Sequence, residues 1–124
     1  ATDGEGETLT QLGGSTIPEW GGVGDPESGY YAGLPGTGYA KVLKELWTEV
    51  SPSGAYWNQT VILSDNRIPA MGSDETTYVF DDSASGVVNI AVRLFFRRAF
   101  ITLADQKSWD LADILMEEII IQLP

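Results

Sequence analysis

Residues 87–98, VVNIAVRLFFRR, are the stretch that decides the fold class. Side chains alternate between the two faces of a β-strand, so residues two apart share a face. One face of this stretch is wholly apolar: Val88, Ile90, Val92, Leu94 and Phe96. The other face is mixed: Asn89, Ala91, Arg93, Phe95 and Arg97. A period of two with one apolar face predicts a strand that packs on a core.

The flanking sequence adds further strands and one helix. Residues 56–63 and 76–80 are rich in β-formers, and 114–123 is an apolar run in which β-branched residues dominate the second half. Residues 99–106 predict one short helix, and 81–86 a turn. Several strands separated by turn signals predict a mostly β fold, an antiparallel β-sandwich of immunoglobulin-like or related type.

Residues 39–50 fit two elements. Tyr39, Leu43, Leu46, Trp47 and Val50 form a stripe with helical spacing. A strand would instead place Ala40, Val42, Leu46 and Val50 on one side, interrupted by Lys44. Periodicity alone slightly favours the helix.

The first 34 residues differ from the rest of the chain. They hold six acidic residues, no Lys or Arg, and most of the glycines. Such a segment forms no long regular element, yet its aromatic and aliphatic side chains are too many for a linker. We predict an irregular acidic Gly-rich arm over residues 1–34 that docks on its own core or on a neighbouring chain, followed by a β-sandwich domain over 35–124.

Charge and composition exclude several classes of function. The formal net charge is −11, which disfavours nucleic acid and anionic lipid as partners. The chain contains no Cys and no His, so it has no thiolate or imidazole for metal ligation, haem attachment or catalysis. No apolar run approaches the ~20 residues that span a bilayer. We therefore expect a module with no membrane span and no enzymatic activity.

Two clusters of charged residues are candidate sites. Asp65, Asn66, Asp74 and Glu75 bring oxygen ligands together within a short loop and suit a hard cation such as calcium. Their spacing differs from that of an EF-hand, and a turn in which they satisfy backbone donors is the reading we favour. Arg93, Arg97 and Arg98 suit an anionic group, such as a haem propionate or a partner's carboxylate. We favour pairing with acids of this same chain.

A series of short motifs from residue 35 onwards resembles a known family. The motifs are PGTGYAKVL (35–43), YWNQT (56–60), DNRIPA (65–70), Asp74, YVF (78–80), VRLFFRRAF (92–100), KSWD (107–110) and DILM (113–116). In this order they resemble the haem-free β domain that follows the haem-binding part of some bacterial and archaeal multihaem c-type cytochromes. The resemblance covers roughly residues 35–123, and it favours a strand for residues 39–46.

The resemblance implies an extracytoplasmic location and a β-sandwich that supports electron transfer beside a multihaem cytochrome partner. Any haem c then belongs to a partner chain or domain, because this chain lacks the Cys-x-x-Cys-His attachment motif. Two alternatives remain open. One is an extracellular filament or adhesion subunit that self-assembles through its arm or an edge strand. The other is a carbohydrate-binding module with calcium, using some of the four tryptophans.

Overall fold

The computed structural model describes residues 1–81 and 86–124, and most of its regular structure is β. The strands are β1 (Gln11–Gly13), β2 (Lys41–Glu45), β3 (Thr60–Asp65), β4 (Val79–Phe80), β5 (Val88–Phe96) and β6 (Ile114–Leu123). Helix α1 (Ile101–Gln106) connects β5 to β6, and two 3-10 turns, Glu19–Gly21 and Pro26–Ser28, lie in the N-terminal arm. The turn predicted at 81–86 lies largely outside the described residues.

The described strands pair into three antiparallel two-stranded sheets, β1–β4, β2–β3 and β5–β6. The longest is the β5–β6 hairpin, which pairs Val88 with Leu123 at one end and Phe96 with Ile114 at the other. A register shift between Leu94 and Phe95 leaves Met116 outside the pairing. The mostly β, antiparallel character and the short helix are confirmed. The sandwich arrangement stays a prediction.

Three predicted elements differ from the observed ones. The helical stripe over 39–50 is wrong, because a strand begins at Lys41 and ends at Glu45. The strand predicted at 56–63 starts later and occupies Thr60–Asp65. Only the last two residues of the predicted strand at 76–80 are paired, as β4. For β2 and β3, hydrogen bonds of Asn66 and Glu45 determine where the strand begins or ends. Before β4, the Tyr78 hydroxyl hydrogen-bonds with Ser15 and Thr37.

The N-terminal arm lies along its own chain. Thr2 exchanges two backbone hydrogen bonds of 2.8 Å with Asn89 at the start of β5, and β1 pairs with β4. At Gly22, where φ is 97°, a Cβ atom would lie 2.6 Å from the side chain of Ile101. A glycine is required there because the arm passes so close to α1.

The apolar core is very small. Among the described residues only Val42 and Ala104 are buried apolar side chains, and 28 large apolar side chains are exposed. No helix in residues 1–81 or 86–124 is long and apolar enough to cross a membrane. Most of the large apolar side chains of the chain are therefore exposed.

Candidate functional site

Eleven of the 28 exposed large apolar side chains lie on the β5–β6 hairpin. Cross-strand partners share a face, so the register defines one face from five pairs. We call it the open face, and its pairs are Val88–Leu123, Ile90–Ile121, Val92–Ile119, Leu94–Glu117 and Phe96–Ile114. Nine of these ten side chains are apolar, and Glu117 is the exception. Val88 and Ile90, at one end, are partly buried, but the central residue Ile119 is 53% exposed, so most of the open face is uncovered by this chain.

The opposite face of the hairpin is more polar and partly covered. The ring of Tyr31, from the arm, stacks on Phe95 with centroids 5.6 Å apart. Arg93 donates to the Glu118 carboxylate from the neighbouring strand at 2.6 Å. Ile120 lies on this face beside these polar groups and is 64% exposed. The arm therefore packs on one face of the hairpin and leaves the other open.

Arg97 joins the arm to the end of the hairpin. Its guanidinium binds both carboxylate oxygens of Asp113, at 2.8 and 2.6 Å. It also donates to the backbone carbonyls of Gly21, at 2.8 Å, and Gly29. The ring of Tyr31 lies against it, 5.2 Å from centroid to guanidinium carbon. The bond to Asp113 raises the pKa of Arg97 further above its usual value, so the charge is permanent.

The three predicted arginines therefore have different environments. Arg97 pairs with Asp113 of its own chain, and Arg93 forms an exposed pair with Glu118. Arg98 is exposed and forms no ion pair with any residue of 1–81 or 86–124. Arg98 is thus the member of the cluster that has its donors available for an outside anion.

The oxygen atoms of the predicted cation loop bond mainly to protein donors. Arg67 binds both carboxylate oxygens of Asp65, at 2.8 and 2.7 Å, which lowers the pKa of Asp65 to about 2. The Tyr39 hydroxyl donates to Asp74 at 2.6 Å, and this bond raises the pKa of Tyr39 to about 12. Glu75 is exposed. Within the described ranges no three acidic side chains gather at a common point.

Asn66, the fourth residue of that set, extends the β2–β3 sheet. Its side-chain oxygen accepts from the Ala40 backbone N–H at 2.9 Å, and its amide donates to the Gly38 carbonyl at 2.8 Å. The side chain thus takes the place of a strand residue opposite 38–40. This arrangement gives Asp65 and Asn66 a structural role at the end of β3.

A buried carboxylate that the sequence analysis missed organises the loop after β2. Glu45 accepts hydrogen bonds from Ser53 at 2.7 Å, from Asn58 at 2.8 Å and from Thr48. The bonds from Thr48 and Ser53 lower the pKa of Glu45. The sequence signal for this role is that Thr48, Ser53 and Asn58, which can all donate hydrogen bonds, follow Glu45 within thirteen residues. Because both oxygens are engaged, Glu45 holds the loop in shape.

This loop forms one wall of an aromatic cleft. The cleft encloses about 1250 Å³, and its aromatic residues are Trp20, Tyr30, Tyr56, Trp57 and Trp109. Trp57 is 67% exposed, and Tyr56 packs edge-to-face against it with centroids 5.0 Å apart. The cleft offers large flat apolar surfaces for contact. The polar side chains beside them, Glu45, Ser53 and Asn58, are hydrogen-bonded to one another.

No protein-family model, curated protein or solved structure matches this chain. The resemblance to the cytochrome β domain therefore rests on the sequence motifs alone.

Proposed function

We propose that this chain is a non-catalytic, extracytoplasmic β module that acts by binding other protein surfaces in an assembly. One observation carries the proposal. The chain exposes 9103 Å², whereas a folded monomer of its mass exposes about 6500 Å². The difference, about 2600 Å², exceeds the ~800 Å² that each partner buries in a standard interface. Much of the exposed surface is apolar, which marks it for contact with another protein.

The sandwich predicted from the sequence fits this proposal. A β-sandwich core forms between two sheets about 10 Å apart, and each sheet contributes one apolar face. The open face of the hairpin is one such face, and a second sheet placed over it would bury nine apolar side chains. We infer that another polypeptide supplies the second layer of the sandwich.

The resemblance supports a multihaem cytochrome c as a partner, and electron transport as the setting. In that assembly this chain carries no haem and serves as a support. Arg98 is exposed and free of ion pairs within the described parts of the chain. It is therefore the expected contact for a haem propionate or a partner's carboxylate.

Absorption spectroscopy of the native assembly tests the haem partner. The chain, purified from its source with its partners, is expected to show a Soret band, and the intact mass of the complex should include a haem-bearing chain. The Arg98→Ala variant should retain less of that chain as salt is raised, whereas Arg93→Ala serves as the control because Arg93 is already paired with Glu118. A native assembly without a Soret band would exclude the cytochrome partner.

The aromatic cleft favours carbohydrate binding as a second candidate. Sugars stack on exposed aromatic rings, and Trp57 lies at the cleft in a solvent-accessible position. On a glycan array, binding by the chain should disappear in the Trp57→Ala variant. Trp47→Ala is the matched control, since Trp47 is 83% exposed but does not line the cleft. Binding that is equal in both variants, or absent in the parent chain, would remove this candidate.

A further inference from the structure

The open face of the β5–β6 hairpin has a specific partner. We propose that it packs against the same face of a second copy of this chain, so that two hairpins form a β-sandwich around a two-fold axis. This inference rests on the proposed function, because it names the partner for one surface of an assembly module. A haem-bearing chain would then bind elsewhere, at Arg98 or the cleft.

The excess exposed area of the chain is large enough for such a dimer. Stable homodimers bury about 2000 Å² or more in total, or about 1000 Å² from each copy. The surface in excess of a folded monomer's is about 2600 Å² over the whole chain, so about 1000 Å² buried at the open face would account for less than half of it. Because only Val42 and Ala104 are buried apolar residues of the described chain, little internal core competes for this surface.

The sizes of the side chains on the open face allow the open faces of two copies to pack against each other. The middle pair is Val92–Ile119, and the end pairs differ in bulk, with Phe96–Ile114 larger than Val88–Leu123. A two-fold axis perpendicular to the strands, through the middle pair, lays the large end of one copy over the small end of the other. Large residues then oppose smaller ones along the interface, as a well-filled core requires.

The position of Glu117, the single charged residue on the open face, favours the same perpendicular axis. Glu117 lies one pair away from the middle, so the perpendicular axis places it opposite the Ile90–Ile121 pair of the other copy. The two Glu117 residues are then about 14 Å apart along the strands, at about 3.4 Å per residue. An axis parallel to the strands would bring both carboxylates together. Glu117 lies on β6, whose outer side is unpaired in the described structure, so its carboxylate reaches solvent at the rim.

Pairing through the outer edge of β6 is the competing arrangement, and it would extend the sheet into a filament or a flat dimer. The adjacent Glu117 and Glu118 stand near the middle of that strand. Antiparallel pairing of two copies about this middle would crowd four carboxylates, against one available cation per copy, Arg93. Charged residues in an edge strand oppose edge-to-edge association, so the face is favoured over the edge.

Sedimentation equilibrium of the full chain tests the dimer. The expected mass is twice 13.4 kDa, with dissociation on dilution. The Ile119→Asp variant, at the centre of the face, should weaken the dimer by about 100-fold. Ile120→Asp is the matched control, because it places the same side chain at the next position on the opposite face. A parent chain that stays monomeric, or two variants that behave alike, would overturn the inference.

The direction in which a second substitution changes the dimer affinity distinguishes a second copy from a basic partner. The open face bears no Lys or Arg, so a second copy offers no cation to Glu117. Glu117→Gln should therefore tighten the dimer a few-fold, while Glu118→Gln, on the other face, should leave it unchanged. A weaker dimer in Glu117→Gln would mean that the carboxylate meets a cation, and would overturn the arrangement.

Cross-linking keeps the proposal testable if Ile119→Asp fails to fold. The chain has no cysteine, so a single introduced thiol is unique. Two copies of the Ile119→Cys variant face each other across the sheet spacing of about 10 Å, within reach of a short bismaleimide. Leu123→Cys places its thiols about 27 Å apart along the strands, and it should not cross-link. The opposite pattern would refute the axis. A monomer that still copurifies with a haem-bearing chain would overturn this inference alone.

Discussion

Arg97 is the residue whose removal should loosen the arm from the hairpin. The Arg97→Ala variant loses the two bonds to Asp113 and the bonds to the Gly21 and Gly29 carbonyls. The pair is largely shielded, since the side chains of Arg97 and Asp113 are only 22% and 11% exposed. Removing one partner of a buried pair costs about 3–5 kcal/mol. Because some solvent reaches this pair, we expect about 3 kcal/mol.

Urea unfolding at constant protein concentration measures this loss. With a urea m-value of about 1.5 kcal/mol/M, a loss of about 3 kcal/mol moves the midpoint down by about 2 M. Arg97→Lys keeps the charge but loses the planar fork, so about 1–2 kcal/mol is expected. Hydrogen exchange in residues 17–34 should rise in Arg97→Ala, because those carbonyls lose their donor.

Arg93→Ala is the internal control for this prediction. Arg93 lies on the same face of the same strand and has one ion pair, but that pair is exposed, at 56% and 35%. Exposed pairs contribute about 0–1 kcal/mol. If Arg93→Ala and Arg97→Ala shift the midpoint equally, the four bonds of Arg97 do not hold the arm, and the reasoning is refuted.

Two further substitutions test the ends of β2 and β3. Asn66→Ala removes the bonds to Ala40 and Gly38 and should cost about 1–2 kcal/mol in urea unfolding, whereas Asn89→Ala, which loses an exposed bond to Gln122, should cost less. Equal losses would show that Asn66 does not anchor the sheet. Because Arg67 lowers the pKa of Asp65 from 3.8 to about 2, this pair stabilises the fold fully above pH 4, and its contribution is lost as pH falls towards 2. The unfolding midpoint of Asp65→Asn should therefore fall less steeply with acid than that of the parent chain, and an unchanged slope would contradict the pKa assignment.

The two strands of the hairpin could be predicted from the sequence because their patterns are local. Alternation over 87–98 and the β-branched run in 114–123 each define a strand without reference to any other part of the chain. Strands β5 and β6 accordingly lie at Val88–Phe96 and Ile114–Leu123. That these two strands pair with each other, with a register shift at Leu94, is known only from the structure, because the local pattern does not specify a partner strand.

The region around β2 could not be predicted because long-range bonds decide it. The helical stripe ended in Leu46, Trp47 and Val50, which are exposed in the loop after β2. That loop turns back because Glu45 binds Ser53 and Asn58, so the β-formers Tyr56 and Trp57 stay outside β3. Hydrogen bonds between side chains eight and thirteen residues apart override local propensity here.

Which of the arginines pairs within the chain could not be predicted either, because this too depends on contacts between separate parts of the sequence. Their clustering in sequence was evident, but which of them remains available depends on where Asp113 and the arm carbonyls lie. Arg97 finds four acceptors in its own chain, whereas Arg98 forms no ion pair with the described residues. A contact to a partner's anion is thus expected of Arg98, and a structural role of Arg97.

The distribution of charge fits a chain that must stay soluble until its open face is covered. A net charge of −11 opposes indiscriminate association of free chains. Glu117 and Glu118 protect the edge of β6, which would otherwise offer ten residues for sheet extension. The open face is left with a single carboxylate, so it is the route by which association buries most apolar surface at least electrostatic cost. Since the described chain buries only two apolar side chains internally, this association and the stability of the fold should rise and fall together.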